Sequence, residues 1–83
     1  MRVLYFALLR ERVGLAEETV SPPAEIRTVG DLVHWLRQKS PQHDYALADP
    51  AMVRIAVNQD YARTDHAIGP DDEIAFFPPV TGG

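Results

Sequence analysis

Cysteine is absent from the 83-residue chain, so neither a disulfide framework nor a cysteine-rich zinc site supports its fold. Positive charge is scarce: 8 lysines and arginines stand against 12 aspartates and glutamates, a formal net charge of −4. Phosphate binding needs a basic stripe, so nucleic acid and anionic membrane surfaces are excluded as expected partners. Long apolar runs are also missing. The first apolar stretch, from Val3 to Leu9, meets Arg10, Glu11 and Arg12. It is too short to span a bilayer and has no signal-peptide cleavage pattern, so a cytoplasmic location is expected. No Walker A pattern occurs, and His34, His43 and His66 show no metal-ligand spacing. No nucleotide, cofactor or metal is therefore expected on this chain. Ser21 and Ser40 lie beside prolines, outside any familiar nucleophile motif. A single small domain of this length is too small to enclose both a large pocket and a full catalytic constellation. A carrier, a binding module or a subunit is expected rather than a self-contained enzyme.

What is present is a regular alternation of strand and helix signals. Residues 1–7 form a nearly all-apolar run rich in aromatic and β-branched side chains, which predicts a strand buried on both faces. Residues 8–13 predict a short helical turn capped by Gly14. A second strand is expected at 17–21, closed by Pro22 and Pro23. The clearest helix is 28–40, where Val29, Leu32, Val33 and Leu36 make one apolar stripe. Thr28 and Asp31 resemble a capping box, and Pro41 stops the helix. Trp35 is placed at the edge of the core and His34 in solvent. Residues 42–50 read as a loop with one helical turn. Alternation at 52–58 predicts a half-buried strand, 58–60 a turn, 61–63 a short return strand and 69–72 a second turn. Residues 73–77 are the last strand. Glu11, Glu17 and Glu18 read as solvated charge, and Asp71, Asp72 and Glu73 as a polar turn before an apolar strand.

This order of elements is an α+β layer pair. The first and last strands are apolar on both faces, and set side by side they make it a β-grasp, ubiquitin-like fold, a mixed sheet with one main helix across it; other small α+β topologies carry the same elements. The domain is expected at 1–77 and an extended tail at 78–83.

The tail carries the chemistry. Phe76-Phe77 runs into Pro78-Pro79, and the chain closes on Gly82-Gly83. Proline fixes φ and removes N–H donors, so the strand ends there and the tail starts out stiff. The last four residues reach at most about 13–14 Å. Glycine lacks Cβ, so an extended backbone passes a narrow channel and approaches another protein's catalytic groups closely. The reactive group at such a tip is the α-carboxylate, an anion at neutral pH and a poor electrophile. It becomes an acyl donor only after activation, for instance by adenylation, which implies a partner that uses ATP.

The segment Ala75-Phe76-Phe77-Pro78-Pro79-Val80-Thr81-Gly82-Gly83 closely resembles the ending of the small subunits of molybdopterin synthase. Val3-Leu4-Tyr5-Phe6-Ala7, Arg10-Glu11, Val13-Gly14, Ala56-Val57-Asn58-Gln59 and the block from Asp71 to Phe77 are similar to that family as well. The resemblance implies that a partner adenylyltransferase activates Gly83 and that a sulfur donor protein converts it to a thiocarboxylate. The tail, Val80, Thr81 and Gly82 included, then threads into a large synthase subunit and delivers sulfur to cyclic pyranopterin monophosphate. It further implies a heterotetramer, and apolar partner contacts at Phe6, Tyr61 and Phe77. Arg10 reads either as a polar contact to an acidic partner surface or as a solvated charge. If Ile74 and Phe76 face the helix, Ala75 and Phe77 face outward, where Tyr61 and Phe6 can join Phe77. A second-face core position for Phe6 stands as the alternative. Other functions stay open: a carrier for thiazole synthesis or tRNA thiolation, a covalent protein modifier, or a binding module with an inert tail.

Overall fold

Each element starts and stops where local chemistry tells it to. In the computed structural model, which describes residues 1–79, strand β1 spans Arg2–Tyr5. It gives way to helix α1, Ala7–Val13, which Gly14 ends with a left-handed φ of 87° and an N–H donated to the Arg10 carbonyl at 2.8 Å. Strand β2 is Glu17–Thr19 and helix α2 is Val29–Arg37. The capping box at its start is complete. The Asp31 N–H donates to Thr28 Oγ1, and the Thr28 and Arg27 N–H groups donate to Asp31 Oδ2 at 3.2 and 3.0 Å. Those bonds hold the Asp31 carboxyl below the usual range, the Arg27 N–H first among them.

Residues 42–50 differ from expectation. They contribute to a two-turn helix, α3, Pro41–Leu47, followed by a 3-10 turn at Pro50–Met52. Helix α2 ends at Arg37, short of the expected residue 40, and Pro41 serves instead as the first residue of α3, where its missing N–H costs nothing. Ser40 caps it, its Oγ accepting from the His43 N–H at 3.1 Å. Strands β3, Arg54–Val57, β4, Asp60–Tyr61, and β5, Glu73–Phe77, complete the chain.

The five strands form one sheet in the order β2-β1-β5-β3-β4. β5 occupies the centre, parallel to β1 and antiparallel to β3. The first strand is thus one place off centre, beside the last strand as expected. This is the β-grasp arrangement. Its core is one cluster in which Val29, Leu32 and Leu36 of α2 meet Val3, Tyr5, Ile55, Val57, Ile74 and Phe76 of the sheet. Trp35 packs at the cluster's edge, partly buried, with the Lys39 ammonium 5.3 Å from its ring centroid.

Glu18 overturns the solvated-charge reading. Its Oε2 accepts from the Tyr5 hydroxyl at 2.8 Å and lies 2.7 Å from His43 Nε2, while Lys39 Nζ is 3.7 Å from Oε1. His43 Nδ1 sits 2.7 Å from Ser40 Oγ. Burial pushes the Glu18 carboxyl up, but the hydrogen bonds from His43 and Tyr5 outweigh it, and the group ends below its ordinary range. Burial, then the Glu18 contact, pushes the Tyr5 hydroxyl far up. The cluster ties β1, β2 and α3 together through one carboxylate.

Candidate partner face and tail root

Alternation along β5 divides the sheet into two surfaces. Ile74 and Phe76 are completely buried against the helix, while Glu73, Ala75 and Phe77 turn to the other face and are half-buried. Register then fixes who shares that open face. Leu4 and Ala56 pair with Ala75, Tyr61 pairs with Ala56, and Arg54 pairs with Phe77. The result is an apolar band, Leu4–Ala75–Ala56–Tyr61, that ends in Phe77 at the root of the tail.

Tyr61 reaches this band because of the hairpin before it. Asn58 and Gln59 take φ values of 50° and 73°, the double left-handed turn that joins twisted antiparallel strands in two residues. Asn58 also anchors the hairpin. Its Oδ1 accepts from the Glu73 N–H at 3.0 Å and its Nδ2 donates to Asp72 Oδ1 at 2.9 Å. Asp72 Oδ2 accepts from the Gly69 N–H at 2.8 Å. The Asn58 contact, then the Gly69 contact, holds the Asp72 carboxyl below its usual range. A polar clamp made by Asn58 and Asp72 therefore sets the strand ends.

The Tyr61 and Phe77 rings lie 5.9 Å apart at 52°. Tyr61 is 84% exposed, although a ring of that size is normally covered. Phe6 follows β1 as Phe77 closes β5; its N–H donates to the Phe76 carbonyl at 3.0 Å, and its side chain is 48% exposed. The core alternative for Phe6 is therefore excluded. Arg10 stands one helical turn beyond Phe6, its N–H donating to the Phe6 carbonyl, and it is exposed. Four residues expected at a partner surface thus lie around one end of the sheet. The other expected site residues, Val80, Thr81, Gly82 and Gly83, lie outside the described residues.

Among the described residues no group of three or more histidines or acids is placed to hold a metal ion. No helix among the described residues is long and apolar enough to cross a membrane. The described residues form shallow clefts of about 530 and 290 Å³, neither of them lined by Phe6, Tyr61 or Phe77. The chemistry available near the face is contact and presentation. Arg54 was missed as a member of this face; its pairing with Phe77 is a matter of register, and strand alternation alone does not give register.

A model described as the ThiS family matches residues 3–83. The chain is 41% identical over 83 residues to the molybdopterin synthase sulfur carrier subunit of Escherichia coli, covering 100% of this chain and 99% of that one. A human protein of the same name is 37% identical over 87 residues, covering 100% and 93%. The solved H. volcanii small archaeal modifier protein 1 superposes with a TM-score of 0.78 at 29% identity, over 96% of this chain and 97% of that one. A family match that runs through the body, the aromatic face and the terminal diglycine alike leaves one assignment: the chain belongs to the ThiS family.

Proposed function

We propose that this chain is the sulfur carrier subunit of a molybdopterin synthase and acts in molybdenum cofactor biosynthesis. The observation that carries the reading is the likeness to relatives bearing that name, over 100% of this chain and 99% and 93% of theirs. The β-grasp body holds the tail root rigid, and the aromatic face beside it gives a large subunit something to grip.

The chemistry follows from the terminal carboxylate. A partner adenylyltransferase lets a Gly83 oxygen attack the α-phosphorus of ATP, and pyrophosphate leaves. Sulfur at the sulfide level, brought by a donor protein, adds to the acyl carbon, and AMP leaves. The product, a thiocarboxylate, keeps its charge on a soft nucleophilic sulfur. In the large subunit that sulfur attacks a carbon of cyclic pyranopterin monophosphate and displaces an oxygen substituent from it; water then cleaves the acyl carbon–sulfur bond of the resulting thioester, which leaves the sulfur on the pterin and returns Gly83 to its carboxylate. Two such cycles supply the two sulfurs of the product. Val80, Thr81 and Gly82 thread the tail, and Phe6, Tyr61, Phe77 and Arg10 form the partner contact. The chain itself binds no cofactor in this scheme, and a cytoplasmic location goes with it.

The test is intact mass after isolation with the adenylyltransferase, ATP and a sulfur source. An oxygen-to-sulfur increment on the C-terminal peptide is expected, and its absence overturns the carrier reading. The likeness to small archaeal modifier protein 1 favours a second reading, a covalent modifier. Conjugates to other proteins' lysines that survive thiol treatment would select it.

A further inference from the structure

Two arginines hold matching positions at opposite ends of the open sheet face, and they are treated differently. Arg2 pairs in register with Glu73, where β5 begins. Its Nε lies 2.7 Å from Glu17 and its Nη1 3.3 Å from Glu73, so its charge is matched within the chain. Arg54 pairs in register with Phe77, where β5 ends and the tail starts. It is exposed and makes no ion pair among the described residues.

Its surroundings sharpen the contrast. The Ala62 N–H donates to the Ile55 carbonyl at 3.0 Å, continuing the antiparallel course past Tyr61 and carrying Arg63 toward the Arg54 end. Arg10 stands beyond Phe6 on the same end, with Glu11 beside it in sequence; Arg10 and Arg63 also make no ion pair among the described residues. The acidic side chains Asp60, Asp71, Asp72 and Glu73 gather at the opposite end, where β5 begins. A chain with net charge −4 therefore carries positive charge where its tail leaves the body.

We infer that Arg54 reads a carboxylate on the partner subunit that covers Tyr61 and Phe77, and so sets which partner receives the tail. The inference rests on the carrier reading and takes the synthase large subunit as the occupant. A guanidinium on a strand next to an aromatic pair offers a planar fork for a bidentate contact, at a position where docking removes water. The charge separation along the face adds orientation: a carboxylate on the docking surface attracts this end of the face and is repelled by the other. Seven of the eight basic residues are arginine, which keeps its charge without presenting a nucleophilic amine beside an activated acyl group.

The experiment is calorimetric titration of the full chain into the large subunit, with wild type, Arg54→Ala, Arg54→Glu and Arg54→Lys, at low and high salt. Thermal melts check that all four fold alike, as an exposed site predicts. Arg54→Ala is expected to weaken binding about tenfold and Arg54→Glu about a hundredfold, while Arg54→Lys stays nearer to wild type. The salt dependence of the Ala variant should be shallower. Equal affinities for wild type and Arg54→Ala overturn the inference, even if Arg54→Glu is weakened, because then the site merely tolerates a neutral group. If wild-type chain fails to bind the large subunit at all, the carrier reading fails instead.

Discussion

Neighbouring residues of β5 live in opposite environments. Ile74 and Phe76 have no exposed surface, while Ala75 and Phe77 look out from the other side of the same strand. The inner pair is explained by folding alone: Phe76 stacks on Tyr5 at 5.9 Å and closes the cluster under α2. Nothing in the fold asks for an aromatic residue on the outer side. An antiparallel sheet with one solvated face normally places polar groups there. Phe77, in contact with an exposed Tyr61, breaks that pattern, and an apolar patch at a tail root is what a docking partner requires. The inner face should therefore answer to stability measurements and the outer face and tail to transfer and binding.

The sharpest way to break this separation is at the tail. Deleting Gly83, or adding any residue after it, should abolish sulfur transfer and leave the melting temperature unchanged. Loss of transfer would be read as the missing thiocarboxylate mass. An extended tail that transfers sulfur at the wild-type rate would place the reactive carbon elsewhere.

Next in size is Phe76→Ala. Truncating a fully buried aromatic side chain costs about 3–5 kcal/mol, a large share of what a domain this small holds in reserve. Urea unfolding should show it as a lower midpoint with little change in slope. A loss below about 1 kcal/mol would mean that the core closes without the Tyr5–Phe76 stack.

The same division separates what the sequence makes legible from what it does not. The β5 alternation and the Val29, Leu32 and Leu36 stripe are local patterns, and both emerge in the structure where they are expected. The order of elements points to the β-grasp but is shared with other small α+β topologies, and the pairing of β1 with β5 decides between them. Helix α3 is harder to read, because seven residues carry barely two turns of periodicity and Pro41 looks like an ending rather than a beginning. Glu18 is not legible at all. Its partners Tyr5 and His43 lie 13 and 25 positions away, and an acid in a short edge strand carries no local mark of burial. The terminal diglycine suggests an unbranched backbone at a reactive tip, a reading that falls on residues outside the described ones.

Phe77→Asp tests the outer face. Binding to the large subunit should weaken by about 2–4 kcal/mol, because docking would bury an unpaired carboxylate. Stability should fall by less, since Phe77 is only partly covered in the free chain. Unchanged affinity in calorimetry would remove the aromatic pair from the interface, and a collapse in stability comparable to Phe76→Ala would erase the distinction between the faces.

The smallest expected effect belongs to Glu18, an inward-facing group that joins β2 to β1 and α3 and has no counterpart on the open face. Glu18→Gln should cost about 1–2 kcal/mol at neutral pH, because the amide keeps an acceptor for Tyr5 and His43 but loses the charge. The pH dependence gives the sharper signature. The Glu18 carboxyl lies below its ordinary range in the folded chain. Its contribution is therefore complete above the unfolded value of about 4.3 and disappears as pH falls through the lower folded value. Asp31 and Asp72 are shifted the same way and lend an acid-sensitive share that wild type and variant have in common. Urea melts between pH 5 and pH 3 should then show wild type losing stability faster than Glu18→Gln, so that the two converge at the acid end. Parallel losses would mean that the carboxylate contributes by shape and hydrogen bonding alone, and that burial of its charge is matched by the contacts it makes.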